Sequence, residues 1–178
     1  IEGVAPMLEA HLGGAKDGSG SDAGAAETVA KEIESLGGVA VADASSVATP
    51  EGGAAIVQTA LDAFGQVDIL INNAGILRDK TFHNMDADMD HAAVDVPLHG
   101  AFNVTRPAWV QMREQGYGRV LNTSINYALP VNHSQANYAS AKLGRVATPQ
   151  ARAVLRREGK AGKWHGKKTR KSGGNTTT

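Results

Sequence analysis

The stretch Asp68-Ile69-Leu70-Ile71-Asn72-Asn73-Ala74-Gly75 decides the fold of this chain. Its first half carries a short apolar run, which predicts a strand over residues 68–71 of the kind that helices cover on both faces. Its second half is small and polar: the Asn side chains can brace neighbouring segments, and the small residues let a ligand approach the backbone. Because ligands of parallel sheets bind beyond the carboxyl ends of the strands, residues 72–75 are predicted to line a binding site.

Helix and strand patterns alternate on either side of this stretch. Strands that alternate with long helical segments predict βαβ units, and therefore a parallel sheet with right-handed crossovers. The predicted helices cover residues 22–36, 50–64, 88–115 and 135–157, and the predicted strands cover residues 39–42, 68–71 and 119–123.

Residue types at the helix ends support these bounds. Thr49 stands at the N-cap position before a proline, and Gly65 follows the last residue of the same helix. Proline removes a helical hydrogen bond, so breaks are expected at Pro97, Pro107 and Pro149.

A carboxylate follows the predicted strand over residues 39–42. Asp43 can accept a hydrogen bond from the amino group of an adenine, which makes it a candidate cofactor-binding residue. It can equally cap the turn formed by the residues after it. The residue types favour neither interpretation.

Tyr138 and Lys142 are four residues apart in the last predicted helix and so share one helix face. A phenol with a pKa near 10 is a poor acid–base catalyst at neutral pH. A cation one turn away favours the phenolate, so Lys142 is expected to lower the pKa of Tyr138 and make it a general acid/base. An ordinary surface Tyr–Lys pair is the alternative, and the strand-end residues described above count against it.

Composition excludes several classes of site. The 178 residues suit one domain, and the absence of cysteine excludes disulfides and thiolate metal sites. Four histidines lack the H-E-x-x-H spacing of a zinc protease, so no metal site is expected; they are His83, His91, His99 and His133. No apolar run approaches the ~18 residues of a membrane span, and a cytoplasmic location is expected, or a peroxisomal one in a eukaryote.

The net charge of zero hides an asymmetry between an acidic body and a basic tail. From Arg152 onward the chain carries nine Lys and Arg residues against one acid, Glu158. Such a tail can bind nucleic acid, but its Gly- and Thr-rich finish favours a solvated, disordered end. Residues 151–178 are therefore predicted to be a disordered tail rather than a nucleic-acid site.

Taken in order, three motifs resemble the short-chain dehydrogenase/reductase family: Asp43, then residues 72–75, then Tyr138-Ala139-Ser140-Ala141-Lys142. Residues 12–21, 75–80 and 135–138 are similar to the (3R)-hydroxyacyl-CoA dehydrogenase branch, which includes the peroxisomal multifunctional enzyme type 2. The resemblance covers about residues 13–144.

This resemblance implies an α/β fold with a Rossmann-like, doubly wound parallel sheet over residues 1–150. It implies an oxidoreductase that moves hydride between NAD or NADP and a secondary alcohol or ketone, such as a 3-hydroxyacyl thioester. A small-molecule substrate and a homo-oligomer are also implied. Tyr138 and Lys142 match the family's catalytic pair, and the implied cofactor-binding residues are Asp43, Asn72, Asn73, Ala74, Gly75, Tyr138 and Lys142.

The chain departs from the family pattern at several positions. The family's Gly-rich phosphate-binding turn is absent, and its adenosine-binding acid falls on His11. The catalytic Ser falls on Ile125, with Ser124 beside it, and the family's Asn falls on Pro97. The first strand and the last strands of the sheet are therefore expected to be missing. The remaining strands would then meet across a gap, or the family's third strand would pair elsewhere.

These departures leave a second reading open. A relative without the catalytic Ser and the Gly-rich turn could be a catalytically impaired fragment that acts through association. The intact Tyr138 and Lys142 pair favours the oxidoreductase, and Ile125 favours the inactive relative.

Overall fold

A computed structural model describes residues 6–10, 20, 23–125 and 134–145. The predicted tail over residues 151–178, the break at Pro149 and the position of His11 lie outside the described residues.

The described elements alternate as the sequence predicts. In chain order they are β1 (Met7–Ala10), α1 (Ala23–Ser35), β2 (Ala40–Asp43), α2 (Pro50–Phe64), β3 (Ile69–Asn72), a 3₁₀ turn (Phe82–Asn84), α3 (Ala87–Val94), a π-helical turn (Asp95–His99), α4 (Gly100–Gln115), β4 (Arg119–Asn122) and α5, helical over residues 136–145. The strands β2 and β3 lie one residue later than predicted, because backbone pairing with a neighbouring strand sets their ends.

The described strands form two separate parallel pairs. β1 pairs with β2, with Met7 opposite Ala40, and β3 pairs with β4, with Asn72 opposite Asn122. The predicted α/β fold with an incomplete parallel sheet is confirmed, and the described residues show the expected gap between the two pairs.

Two helices join the strand pairs into one body. Ile56 and Val57 of α2 pack with Val104 and Ala108 of α4. Partly buried side chains from both strand pairs rest on this cluster, and they include Leu8, Ala10 and Leu70. Removing these apolar groups from water is the main stabilising contribution, and it holds the two strand pairs on one helical layer.

The helices α2 and α4 approach closely at Gly53. A Cβ atom there would lie 2.6 Å from the carbonyl carbon of Asn103, so only glycine fits. Asn103 is the residue whose carbonyl lacks a helical donor, because Pro107 four residues later has no N–H. The predicted break at Pro107 is wrong: Pro107 lies inside α4, which continues to Gln115.

The other face of the β3–β4 pair is partly open to solvent. Ile69, Ile71 and Leu121 are 56%, 58% and 51% exposed. The expectation that helices cover both faces of this strand is wrong for the described part of the chain, because side chains alternate along a strand and only one set points at α2 and α4.

The helix α1 packs through small residues. Ala26 and Ala30 are buried, whereas Val29 and Leu36 are exposed. Small side chains let the helix lie close to β1 and β2. Of the helices in the described ranges, none combines the length and the hydropathy that a bilayer span requires.

Candidate active site

Asn72 fixes the carboxyl end of β3. Its side chain is buried, and Nδ2 donates to Asn122 Oδ1 at 2.8 Å and to Thr105 Oγ1 at 2.9 Å. One amide thus connects the ends of the paired strands β3 and β4 to helix α4. A buried amide with both partners satisfied holds the strand end in one position.

The residues after β3 reach the predicted Tyr–Lys pair. A Cβ atom at Gly75 would lie 3.6 Å from Lys142 Cε, from Lys142 Nζ and from Tyr138 Cε2. The absence of a side chain at Gly75 therefore leaves a space bordered by the two reactive groups. Asn73 beside it is exposed.

Tyr138 is half-buried on α5, and burial raises its pKa above the ordinary value of 10. The Asp79 carboxylate also raises this pKa, whereas the Arg145 guanidinium lowers it. The expectation that Lys142 lowers this pKa is wrong: Lys142 Nζ lies 5.5 Å from the centre of the ring, and Arg145 is the cation that favours the phenolate. Burial outweighs it, so the phenol is protonated at neutral pH.

Lys142 is 4% exposed, and its Nζ donates to Thr123 Oγ1 at 2.9 Å. Burial and, to a smaller extent, the nearby Arg145 guanidinium together lower the pKa of this ammonium group from 10.5 to about 8. The side chain is thus mostly charged at neutral pH but titrates just above it. An ammonium has three N–H donors, so donors remain for a ligand.

Thr123 is a residue of the site that the sequence analysis missed. It directly follows β4 and accepts hydrogen bonds from Lys142 Nζ and, at 3.4 Å, from the guanidinium of Arg145. The predicted strand over residues 119–123 included Thr123, so the strand-end rule pointed to Ser124, and only the observed end of β4 at Asn122 makes Thr123 the first residue after the strand.

Arg145 was also missed. Its guanidinium is 1% exposed and donates to the carbonyl oxygens of Pro97, of Asn72 at 3.0 Å and of Ala74 at 2.7 Å. The helical spacing of seven residues from Tyr138 and three from Lys142 was the available signal.

The serine next to the altered catalytic position is directed at α5. Ser124 Oγ donates to the main-chain carbonyl of Lys142 at 3.2 Å, and Ile125 is half-buried. Pro97 is buried and offers its carbonyl to Arg145. The hydroxyl that touches the Lys142 amino group is therefore that of Thr123.

Asp43 closes the end of β2 locally. Its Oδ1 accepts from the Ser45 backbone N–H at 2.7 Å, and its Oδ2 accepts from Thr59 Oγ1 at 2.6 Å. Burial tends to raise the pKa of this carboxyl, but the hydrogen bonds from Thr59 and Ser45 bring it below the ordinary value. The carboxylate thus caps a turn. Its oxygens keep lone pairs for a ligand, so adenine binding stays a prediction.

Comparison with known proteins agrees with this architecture. The sequence model described as short chain dehydrogenase matches residues 16–156. A short-chain type dehydrogenase/reductase of Mycobacterium tuberculosis is 49% identical over 82% of this chain and 50% of that relative. The peroxisomal multifunctional enzyme type 2 of Mus musculus is 48% identical over 75% of this chain and 18% of that relative.

A solved structure shares the fold. It is a 7 alpha-hydroxysteroid dehydrogenase complexed with NADH and 7-oxo glycochenodeoxycholic acid, with a TM-score of 0.73 and 26% identity over 85% of this chain and 55% of that one. The chain therefore spans about half or less of the length of each of these proteins. Since the family's sequence model matches well over half of its residues, the chain belongs to the short-chain dehydrogenase family.

Proposed function

We propose that this chain is an NAD(P)-dependent oxidoreductase that interconverts a secondary alcohol and a ketone, with a 3-hydroxyacyl thioester or a similar compound as substrate. The observation that carries the proposal is the space at Gly75, after the carboxyl end of β3: a Cβ atom there would lie 3.6 Å from both the Tyr138 and the Lys142 side chains of α5. Residues far apart in sequence thereby form one polar site at the edge of a parallel sheet, where such folds bind ligands.

The residues around Gly75 fit the nicotinamide end of the cofactor. The space that a Cβ would fill is bordered by the Lys142 amino group, which keeps donors for the hydroxyls of a ribose. Residues 72–75 supply backbone groups and small side chains beside it. When bound, the nicotinamide supplies or accepts the hydride.

Tyr138 is placed to move the proton. Because burial keeps its phenol protonated at neutral pH, the side chain is ready to donate a proton to the oxygen of a ketone. Arg145 is the cation that lowers the pKa of that phenol, so it stabilises the negative charge the phenol carries after donation. The protonation states therefore favour the direction of ketone reduction at neutral pH.

An open surface groove beside this site is the candidate place for a small substrate. Its volume is about 430 Å³, and it is lined by Leu77, Arg78, Asp79 and Met89. The same segment is tied to α5, because Asn137 Nδ2 donates to the Arg78 carbonyl and Gln135 Nε2 donates to Asp79. The resemblance of residues 75–80 and 135–138 to the hydroxyacyl-CoA dehydrogenase branch supports an acyl thioester here.

One observation favours the alternative, a relative with impaired catalysis. The family's catalytic Ser falls on Ile125, and the hydroxyl of Ser124 is directed at the backbone of α5. Loss of one hydrogen-bond donor to the reacting oxygen costs about 10²–10³-fold in rate. Slow but measurable turnover is expected if Thr123 and Lys142 keep the site polar.

The first test measures the melting temperature of the purified chain with excess NADH and, separately, NADPH. A ligand at ~100 times its dissociation constant adds about 2.7 kcal/mol to the free energy of unfolding, so one cofactor is expected to raise the melting temperature. Turnover of a 3-oxoacyl thioester is then followed with that cofactor. Tyr138→Phe is expected to lower kcat by about 10²–10⁴-fold while keeping the cofactor-induced shift.

A melting temperature that neither cofactor changes would argue for the non-catalytic relative. Equal turnover by the parent and by Tyr138→Phe would remove Tyr138 from the reaction even if the cofactor binds.

A further inference from the structure

Arg145 is a buried cation whose described partners are uncharged. Its guanidinium is 1% exposed and contacts carbonyl oxygens and the Thr123 hydroxyl rather than a carboxylate. Burying a charge without a counter-charge is costly unless its donors are satisfied. An apolar side chain could fill the same volume without that cost. Filling space therefore does not explain why a guanidinium stands at this position.

The acceptors of Arg145 lie in three separate segments. Nε donates to the carbonyl of Pro97 in the π-helical turn, and one terminal nitrogen donates to Asn72 at the end of β3. The other terminal nitrogen donates to Ala74. The terminal nitrogen that donates to Asn72 also approaches the carbonyl and the hydroxyl of Thr123, which follows β4. One side chain of α5 thus connects segments that are 22 to 73 residues away in sequence.

The bond to Ala74 has a direct effect on the site. Ala74 immediately precedes Gly75, and the space at Gly75 that a Cβ would fill is bordered by Tyr138 and Lys142. Thr123 Oγ1 in turn accepts hydrogen bonds from Lys142 Nζ and from the Arg145 guanidinium. The guanidinium therefore determines how closely residues 72–75 and Thr123 approach the reactive face of α5.

We propose that Arg145 is a positioning residue, whose planar fork holds residues 72–75 and Thr123 against α5 so that the space at Gly75 stays bordered by Tyr138 and Lys142. Its effect on turnover rests on the proposed function above, whereas its effect on the geometry does not.

The charge of Arg145 supports this role. Its field lowers the pKa of Lys142, in addition to the larger effect of burial, and it lowers the pKa of Tyr138 against the effects of burial and of Asp79. Removing the cation is therefore expected to raise both pKa values. Replacing it by another cation is expected to preserve them and to disturb only the geometry.

Two variants separate geometry from charge. Arg145→Lys keeps the charge but has no planar fork of donors, and Arg145→Met removes both. The matched control is Arg106→Met, which deletes an exposed arginine on α4. Two quantities are measured: the dissociation constant of the cofactor, and the rate at which an acylating reagent labels Lys142 in cofactor-free protein over a pH series, read by mass spectrometry.

Both Arg145 variants are expected to bind the cofactor about tenfold more weakly or worse, because hydrogen bonds from a charged donor are lost. At a pH well above the midpoint, where the amine is neutral in every variant, both are also expected to label faster, since Lys142 loses contacts. The labelling midpoint is expected to stay at about 8 in Arg145→Lys and to move to higher pH in Arg145→Met. Arg106→Met is expected to match the parent in every measurement.

Unchanged cofactor affinity and unchanged labelling in Arg145→Lys would overturn the proposal. If Arg145→Met does not fold, Arg145→Lys alone decides the question. If the parent binds neither NADH nor NADPH, the proposed function fails, and Lys142 labelling still tests the positioning role: a rate in Arg145→Lys equal to that of the parent overturns it, and a faster rate supports it.

Discussion

The two strand pairs end in different ways. At the carboxyl end of β2, Asp43 is satisfied by Ser45 and Thr59, which lie 2 and 16 residues along the chain. At the carboxyl end of β3, Asn72 is satisfied by Thr105 and Asn122, which lie 33 and 50 residues away. The first end is a local cap, whereas the second is assembled from distant elements.

This difference shows where chemistry is expected. A local cap satisfies a carboxylate with groups of its own segment and mainly stabilises a turn. The end of β3 instead collects side chains from β4, α4 and α5, so it can hold a cation, a phenol and a hydroxyl within contact of one another. Substitutions at the two ends should therefore affect different properties.

The largest expected effect is on catalysis at the β3 end. Lys142→Met removes the cation beside Tyr138 and is expected to lower kcat/KM by about 10²-fold, or about 2.7 kcal/mol of transition-state stabilisation. The measurement is the initial rate of cofactor oxidation with a 3-oxoacyl thioester. Lys31→Met, which alters an exposed lysine of α1, serves as the control. Similar losses in both variants would mean that Lys142 has no special role.

The next effect is on stability at the same end. Asn72→Ala leaves Thr105 and Asn122 without their donor and is expected to cost about 1–3 kcal/mol in the free energy of unfolding. Asn73→Ala, at the exposed neighbour, is expected to stay within about 0.5 kcal/mol of the parent. Urea unfolding of both variants measures the difference. Equal values would show that the buried amide contributes no more than the exposed one.

The pH dependence of stability also reports on Lys142. Its folded pKa of about 8 lies below the ordinary 10.5, so between these values the unfolded chain binds more protons than the folded chain. Stability should therefore rise with pH above about 8, by at most about 1.4 kcal/mol per pH unit.

Urea unfolding over pH 8 to ~9.5 measures this slope below the ordinary pKa of a tyrosine. The slope is expected to be absent in Lys142→Met. A parent protein that loses stability through this window would contradict the burial of a charged Lys142.

The smallest effect is expected at the β2 end. Thr59→Val removes the hydroxyl that donates to Asp43 and should cost about 1 kcal/mol at neutral pH. Because the folded pKa of Asp43 is depressed, its contribution is present above the unfolded pKa of 3.8 and is lost as the pH falls through the folded value.

The difference in unfolding free energy between Thr59→Val and the parent should therefore shrink from pH 7 to about pH 3. Thr28→Val is the control, because its hydroxyl donates only to a carbonyl of its own helix. A difference that is constant over the pH range would show that Thr59 does not act through the Asp43 carboxylate.

Local rules predicted the helix ends well. Thr49 accepts from the Gly52 N–H, and Gly65 adopts a φ of 75°, so both ends of α2 were correct. These features involve neighbours in sequence, and residue type alone decides them. Non-local packing was predicted poorly: Pro107 lies within the continuous helix α4, which packs closely on Gly53 of α2.

The candidate site was partly accessible to the same rules. Residues 72–75, Tyr138 and Lys142 each follow a strand-end or helix-face rule, and the structure brings the space at Gly75 next to both side chains, while their roles stay predictions. The sign of the Tyr138 pKa shift was wrong, because burial depends on the folded surroundings and outweighs the nearby cation.

The sequence by itself determined the order of the elements, the caps of α2 and the motifs that mark the family, because these depend on residue type and spacing. Only the tertiary structure decided that Arg145 and Thr123 belong to the site, and that Ile69 and Ile71 face solvent in the described part of the chain. Burial and hydrogen bonding between distant segments set both outcomes, and neither can be read from spacing along one segment.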